Sequence, residues 1–155
     1  MISAASHVDR IACIKIVLDH VEPVIWRRVE VPLTTSLRSL HEVIQAVMLF
    51  ENYHLFDFTI EAIGDADPGL DYPRFVDGAH RAPPEDVGGI PGFEEFVEAM
   101  AKPRHPERKR LIEWYGRVFD PEDIDLPTIK ANIAKLARRR AIGKAAFAKS
   151  RRSES

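Results

Sequence analysis

The chain has 155 residues, 45% of them hydrophobic and 30% charged, with a formal net charge of −2; this length and composition indicate one globular domain that buries its own core. Cys13 is the only cysteine, which excludes an intramolecular disulfide and a zinc site made of several thiolates. No apolar run reaches the roughly 18 residues that span a bilayer, and the N-terminus lacks the pattern of a secretion signal, so we expect a cytoplasmic protein with no membrane partner.

The first part of the chain predicts strands and one helix. Residues 11–18 and 24–31 are rich in β-formers and are separated by Pro23, which cannot donate to a strand ladder. Ser36 is a good N-cap for a helix whose apolar residues recur at steps of three and four: Leu37, Leu40, Ile44, Val47 and Met48. A third strand at residues 54–60 alternates, with one face made of Phe56, Phe58 and Ile60.

The second part predicts a loop followed by helices. Residues 61–82 are punctuated by Gly, Asp and Pro, with one short extended piece at 72–76. Helices are predicted at residues 91–100, from Pro106 onwards, and after a cap at Asp125, with an end at Gly143. The order predicts an α+β fold: a small antiparallel sheet with one helix packed on it, followed by a helical C-terminal part. We assign residues 1–143 to a single domain and residues 144–155 to a basic, disordered tail.

The basic residues concentrate at the C-terminus. Residues 130–155 hold nine Lys and Arg and one acid, whereas residues 1–129 hold 13 bases and 23 acids. Such a basic end could bind nucleic acid, although terminal charge runs more often stay solvated or pack on their own acidic body. The residues that would bind nucleic acid are Arg138, Arg139, Arg140, Lys144, Lys149, Arg151 and Arg152.

Residues 82–93, APPEDVGGIPGF, admit two interpretations. As structure, the prolines stiffen the approach to a helix, the glycines permit positive φ, and Pro91 fits the first helical turn. As a site, the adjacent carboxylates Glu85 and Asp86 could bind a metal or act in acid–base chemistry.

Two histidines could join that loop. HEVIQ at residues 41–45 is close to the zinc motif H-E-x-x-H, but Gln45 replaces the second ligand, so we reject a zinc protease of that type. His41 lies on the apolar side of the predicted helix, where a buried, hydrogen-bonded histidine is the usual explanation. If it met His54 and the loop, a His/carboxylate site would form, with the metal unspecified. The candidate surface comprises His41, His54, Asp57, Pro83, Pro84, Glu85, Asp86, Gly88 and Gly89.

Trp26-Arg27-Arg28 could likewise form a nucleic-acid patch. Strand alternation splits it, however, because Trp26 and Arg28 share one face and Arg27 takes the other. We therefore expect Trp26 to pack under the helix and the arginines to pair with acids such as Glu42 or Asp57.

Four segments resemble the plasmid pRiA4b ORF-3-like family: PVIWRRVEVP, LHEVIQAVMLFENYHLFDF, PPEDVGGIPGFEEF and HPERKRLIEWYGRVFDPEDIDL. The similarity extends over residues 11–133. It implies a family of unestablished activity, some of whose members carry a transposon-associated or resolvase-like label, and hence a link with mobile DNA.

The chain also departs from that family. Relatives usually insert further strands with a Y-D-F-G-D-x-W-x-H motif before the PPED loop, where this chain has only the 22 residues 61–82. Relatives often have Gly-Trp in place of Leu49-Phe50, and cysteines near the proline pair. The resemblance thus implies a shortened member, whose open sheet edge must be covered or paired.

These observations favour a non-enzymatic interaction protein without a cofactor. Its partner would be an unknown protein or a second copy bound at the open sheet edge. Two alternatives remain: a DNA-binding accessory protein that uses the basic tail, and a metal-dependent hydrolase that uses the histidines and carboxylates.

Overall fold

The fold is α+β, as predicted, in a computed structural model that describes residues 9–50 and 56–154. Within these residues all strand pairs are antiparallel, and the sheet order is β3-β1-β2-β4. The elements are β1 (Arg10–Leu18), β2 (Trp26–Pro32), α1 (Leu37–Met48), β3 (Phe56–Asp65), β4 (Arg74–Ala79), α2 (Gly89–Ala101), α3 (Arg108–Tyr115) and α4 (Leu126–Ser153).

The core lies between the central strands and α1. Alternate residues of β1 and β2 are buried on one face, and α1 packs there with an apolar stripe of Leu40, Val43, Ile44, Val47 and Met48. Ser36 caps α1 as predicted, because its hydroxyl accepts a hydrogen bond from the Ser39 amide. Leu37 was expected on the stripe but is 80% exposed.

The end of α1 places a bulky residue in an unfavourable conformation. Leu49 follows the helix in the left-handed conformation, with φ 61°, and its amide donates to the Gln45 carbonyl. Glycine adopts this conformation at the lowest cost.

The prediction of a loop at residues 61–82 is wrong at its start, where β3 continues to Asp65. The short extended piece predicted at residues 72–76 overlaps β4, which pairs with β2 from Arg74 to Ala79. A β-bulge falls between the pairs Cys13–Ala62 and Ile14–Ile60, so that Glu61 is the extra residue. A bulge shifts the two-residue alternation by one position, which hides the second half of β3 in the sequence.

The C-terminal helices close one side of the molecule. α2 contacts α3 through edge-to-face aromatic pairs of Phe96 with Trp114 and Tyr115, and Phe96 makes a third such pair with Phe119, which follows α3. α4 is capped by Asp125, as predicted, and packs on α1 and β4. The helix does not end at Gly143 but continues to Ser153, so the tail predicted to be disordered is helical. A single glycine costs a helix only about 1 kcal/mol relative to alanine, and Ala-rich sequence follows it.

None of the helices in the described ranges is both long enough and apolar enough to cross a membrane.

Candidate functional site: the β3 edge

The edge strand β3 carries an exposed apolar stripe. Phe58, Ile60 and Ile63 are 44%, 53% and 49% exposed. Their partners across the ladder on β1 are Ile16, Ile14 and Ala12, which are all buried. Directly paired residues point to the same face of a sheet. Phe58, Ile60 and Ile63 therefore extend the apolar core-side face of the sheet from its buried part into an exposed part. We call these three residues the β3 stripe.

The two edges of the sheet differ. β4 is in contact with α4, and its first residues, Arg74 and Phe75, line a cleft with that helix. β3 pairs with β1 on one side, and no strand in the described part of the chain pairs with its other side. Its outer backbone groups are therefore available for strand pairing.

The opposite face of the sheet is polar. Trp26 lies there rather than under the helix, with the Lys15 ammonium and the Arg28 guanidinium 5.1 and 5.0 Å from its ring centre. Arg28 donates to both carboxylate oxygens of Glu61, at 2.7 and 3.1 Å, and this hydrogen bonding lowers the pKa of Glu61. Cys13 lies beside Glu61, and partial burial followed by the charges of Glu61 and Glu30 raises its thiol pKa. On this face the Arg28 and Glu61 charges neutralise each other. The Cys13 thiol is not activated as a nucleophile, because its pKa is raised.

Arg27 is on the core side and fully buried. The expected pairing with Glu42 or Asp57 is wrong: the guanidinium donates to the carbonyl oxygens of Val47, Trp26, Ala79 and His80, at 2.8 to 3.2 Å. Burial, with a smaller effect of the Arg81 charge, lowers the pKa of Arg27 to about 10. The residue joins β2, the last turn of α1 and the end of β4.

Gly78 makes room for this side chain. A Cβ at position 78 would lie 2.8 Å from Cδ of Arg27 and 2.9 Å from the Trp26 carbonyl oxygen. Arg27 and Gly78 therefore form one structural unit, and Arg27 does not share a surface with Trp26 and Arg28.

The loop at residues 82–93 has steric reasons for its glycines. Asp86, Gly88 and Gly89 have positive φ angles of 59°, 99° and 69°. A Cβ on Gly92 would lie 2.1 Å from the Val87 carbonyl oxygen, which no side chain tolerates. Pro83 is buried and Pro84 half-buried, whereas Glu85 and Asp86 are exposed. The geometry favours the structural interpretation of this motif.

The predicted His/carboxylate surface is not assembled by the described residues. His41 is exposed on α1, so the expectation of a buried histidine is wrong. Asp57 lies on the face of β3 opposite to α1, next to Asp19, whose pKa is raised by desolvation and by the Asp57 charge. The sheet therefore separates His41 from Asp57. His54 lies outside the described residues. In the described ranges, no group of three or more His, Cys, Asp and Glu could hold a metal ion.

Several of the basic residues of α4 are paired. Arg139 binds Glu42, while Arg140 and Lys144 share the Asp9 carboxylate. Every residue from 141 to 154 is exposed, including the cations Lys149, Arg151 and Arg152. Sequence reasoning missed Ile63, because the bulge carries it beyond the predicted strand. It placed Phe58 and Ile60 on the correct face but gave no indication that this face is uncovered.

A family model described as plasmid pRiA4b ORF-3-like protein matches residues 10–66 and 59–128. The chain belongs to this family. It is 30% identical to an uncharacterised protein, y4hQ, of Sinorhizobium fredii (strain NBRC 101917 / NGR234), in an alignment over 154 residues that covers 66% of this chain and 79% of the relative. It is also similar to the crystal structure of MM3350, a protein of unknown function from Methanosarcina mazei Go1. The TM-score is 0.69 at 26% identity, over 74% of this chain and 94% of that chain.

Proposed function

We propose that this pRiA4b ORF-3-like protein is a non-enzymatic interaction protein that binds a second copy of itself through β3. The observation that carries the proposal is the β3 stripe, an apolar extension of the core floor beside an unpaired strand edge. Exposed edges of this kind are templates for strand addition. The proposal includes a cytoplasmic location, which the single free cysteine favours.

The regular part of β3 is self-complementary. Residues 56–60 form an uninterrupted ladder with β1 up to the bulge at Glu61, and Phe58 is their midpoint. A two-fold axis through Phe58 pairs two antiparallel copies so that Phe58 faces Phe58, Phe56 faces Ile60, and Asp57 faces Thr59. All the apolar pairs then fall on the core side, and no two carboxylates within these five residues stand directly opposite one another. A second copy of the chain is therefore complementary to β3 on the apolar side and on the polar side of the strand.

The energetics predict a weak dimer. Burying an exposed half of a Phe or Ile side chain contributes roughly 1 kcal/mol. Phe58 and Ile60 lie in the paired segment, so the two copies together gain about 4 kcal/mol, whereas Ile63 lies beyond the bulge. Association costs about 4 kcal/mol or more, so the strand hydrogen bonds must supply the net affinity. We expect association that a concentration series can detect.

Sedimentation velocity of the full chain over a concentration series tests the proposal. The wild type should change from one to two times 17.6 kDa as concentration rises. Phe58→Lys places two ammonium groups at the two-fold axis and should leave only monomer. Val76→Lys is the matched control, because Val76 is a 38% exposed apolar residue on the other edge strand.

Two results would contradict the proposal: a wild type that is monomeric throughout the series, or a dimer that Val76→Lys disrupts and Phe58→Lys does not. Far-UV circular dichroism of each variant verifies that the substitution leaves the fold intact.

Nucleic-acid binding is a second candidate, favoured by the end of α4. Beyond Lys144 the helix carries Lys149, Arg151 and Arg152 against one acid, Glu154, and all its residues are exposed. Cations spaced along an exposed helix can contact phosphates without reading sequence, and such binding would fit the link with mobile DNA that the family resemblance implies. The metal-dependent hydrolase has no candidate group of three or more His, Cys, Asp and Glu ligands among the described residues.

Fluorescence anisotropy with a labelled DNA duplex tests this candidate. Affinity should fall steeply with salt, and the double variant Lys149→Gln/Arg151→Gln should weaken it, whereas Lys102→Gln, an exposed cation on α2, should not. Equal weakening by both variants, or no binding at low salt, would remove the candidate.

A further inference from the structure

A cleft of about 340 Å³ lies between the start of α1 and the middle of α4. One wall is formed by Thr34 and Thr35, in the segment that connects β2 to α1, and by Ser39 in the first turn of α1. The other wall is α4, with Arg139 and Arg140. We call it the α1–α4 cleft. It is on the core side of the sheet but independent of the β3 edge.

The charge in the cleft is positive. Arg139 and Arg140 both line it, and Glu42 is the single acid among its lining residues. Glu42 is the partner of Arg139. Arg140 is 3.6 Å from Asp9, a carboxylate outside the cleft that also accepts a hydrogen bond from Lys144. A guanidinium has five N–H donors, so one such contact leaves donors of Arg140 for a ligand.

Hydroxyl groups face the two cations. Thr34, Thr35, Ser36 and Ser39 all line the cleft. The Ser36 hydroxyl is already used, since it caps α1 and donates to Ser39 Oγ at 3.1 Å. The threonines supply two further hydroxyls that can donate to an anionic oxygen.

Two guanidiniums with nearby hydroxyls are the groups that recognise phosphate, whose oxygens accept forked N–H donors. The volume lies at the lower end of the range for small-molecule sites, about 300–1,000 Å³, which suits a small organic phosphate rather than a polymer. Val43 and Leu136 also line the cleft and offer an apolar contact for the carbon part of such a ligand.

We propose that the α1–α4 cleft binds a small molecule bearing a phosphate group, with Arg140 and Arg139 as its charged ligands. Glu42 competes with the ligand for Arg139. The ion pair between them therefore sets the affinity of the cleft, and its removal strengthens binding.

Isothermal titration of the full chain with glycerol 3-phosphate, at ionic strength matched with NaCl, tests the proposal. The wild type should show saturable binding. Arg140→Gln should raise the dissociation constant by about tenfold or more, as expected for the loss of a charge-assisted contact. Glu42→Gln should lower it, because the substitution frees Arg139 and removes the competing charge.

Arg138→Gln is the control, because Arg138 is exposed on the neighbouring side of α4 and lines a different cleft. The dissociation constant of the Arg138→Gln variant for glycerol 3-phosphate should equal that of the wild type. The proposal is overturned if neither the wild type nor Glu42→Gln binds the probe saturably. It is also overturned if Arg138→Gln weakens binding as much as Arg140→Gln, since that result would mean a general charge effect. Inorganic phosphate as a second probe should follow the same order of variants.

Discussion

Replacing Arg27 with methionine should destabilise the protein strongly, although methionine has a similar length and suits a core. The guanidinium is fully buried and donates four hydrogen bonds to carbonyl oxygens from three elements and the residue after β4. Methionine fills most of the space but donates nothing. The carbonyl of Val47 in the last turn of α1 and that of His80 after β4 would both lose their charged partner.

The magnitude follows from two opposing terms. Hydrogen bonds to a charged group contribute about 1.5–3 kcal/mol each, so four give about 6–12 kcal/mol. Removing a buried charge regains part of this: burial lowers the pKa of Arg27 to about 10, which corresponds to about 3 kcal/mol relative to an exposed guanidinium. Because bonds made by one group are not additive, we take the low end, a net loss of about 3–5 kcal/mol. At about 2–4 °C per kcal/mol for a chain of this size, the midpoint of thermal unfolding should fall by roughly 10 °C.

Urea unfolding followed by circular dichroism at 222 nm measures the effect, with Arg28→Met as the matched control. Arg28 is the next residue, carries the same charge and pairs with Glu61 on the open face. Exposed ion pairs contribute little, so the midpoint of Arg28→Met should stay close to that of the wild type. If Arg27→Met lost no more stability than Arg28→Met, the four carbonyl contacts would not hold β2, α1 and β4 together, and the reasoning would be wrong.

Three further predictions concern single positions. Gly92→Ala should cost about 2–3 kcal/mol in urea unfolding, because its Cβ would lie 2.1 Å from the Val87 carbonyl oxygen; a neutral effect would mean that the loop has room. Gly143→Ala should increase helicity at 222 nm, because nothing lies within 4 Å of its added Cβ and alanine favours a helix by about 1 kcal/mol; unchanged helicity would support a helix end there. Asp9→Asn should weaken the acid dependence of stability. Hydrogen bonding by Lys144 lowers the pKa of Asp9 below 3.8. The contribution of Asp9 to the free energy of unfolding is therefore full above pH 3.8 and is lost as the pH falls through the lowered value. If the stability of Asp9→Asn fell with acid pH as steeply as that of the wild type, this prediction would be wrong.

The elements that could be predicted are those with one buried face. β1, β2 and α1 show alternation or a spacing of three and four residues because each packs against the core on a single side. Ser36 and Asp125 indicate where helices begin, because their side-chain oxygens accept hydrogen bonds from backbone amides of the first turn. The family resemblance was confirmed on the same residues, since the matched region covers these elements.

The features that could not be predicted depend on contacts distant in sequence. Alternation shows which residues of β3 share a face, but not whether any other element covers that face; Phe58 and Ile60 are therefore on the predicted side and yet exposed. The bulge at Glu61 shifts the pattern and conceals Ile63. The Arg27 guanidinium donates hydrogen bonds to carbonyl oxygens up to 53 positions away in the sequence, and no local sequence pattern indicates such an arrangement.

The loop at residues 82–93 shows why a dense motif is ambiguous before the fold is known. Uncommon residues in a fixed order indicate a constraint, but a constraint can be steric as well as chemical. Gly88 and Gly89 have positive φ, Gly92 has no room for a Cβ, and Asp86 has a φ of 59°, a region in which aspartate is enriched several-fold among non-glycine residues. Four of the motif's residues are thus explained by backbone geometry alone. The glycines that make the motif recognisable are thus accounted for by steric requirements, whereas the exposed carboxylates of Glu85 and Asp86 are not.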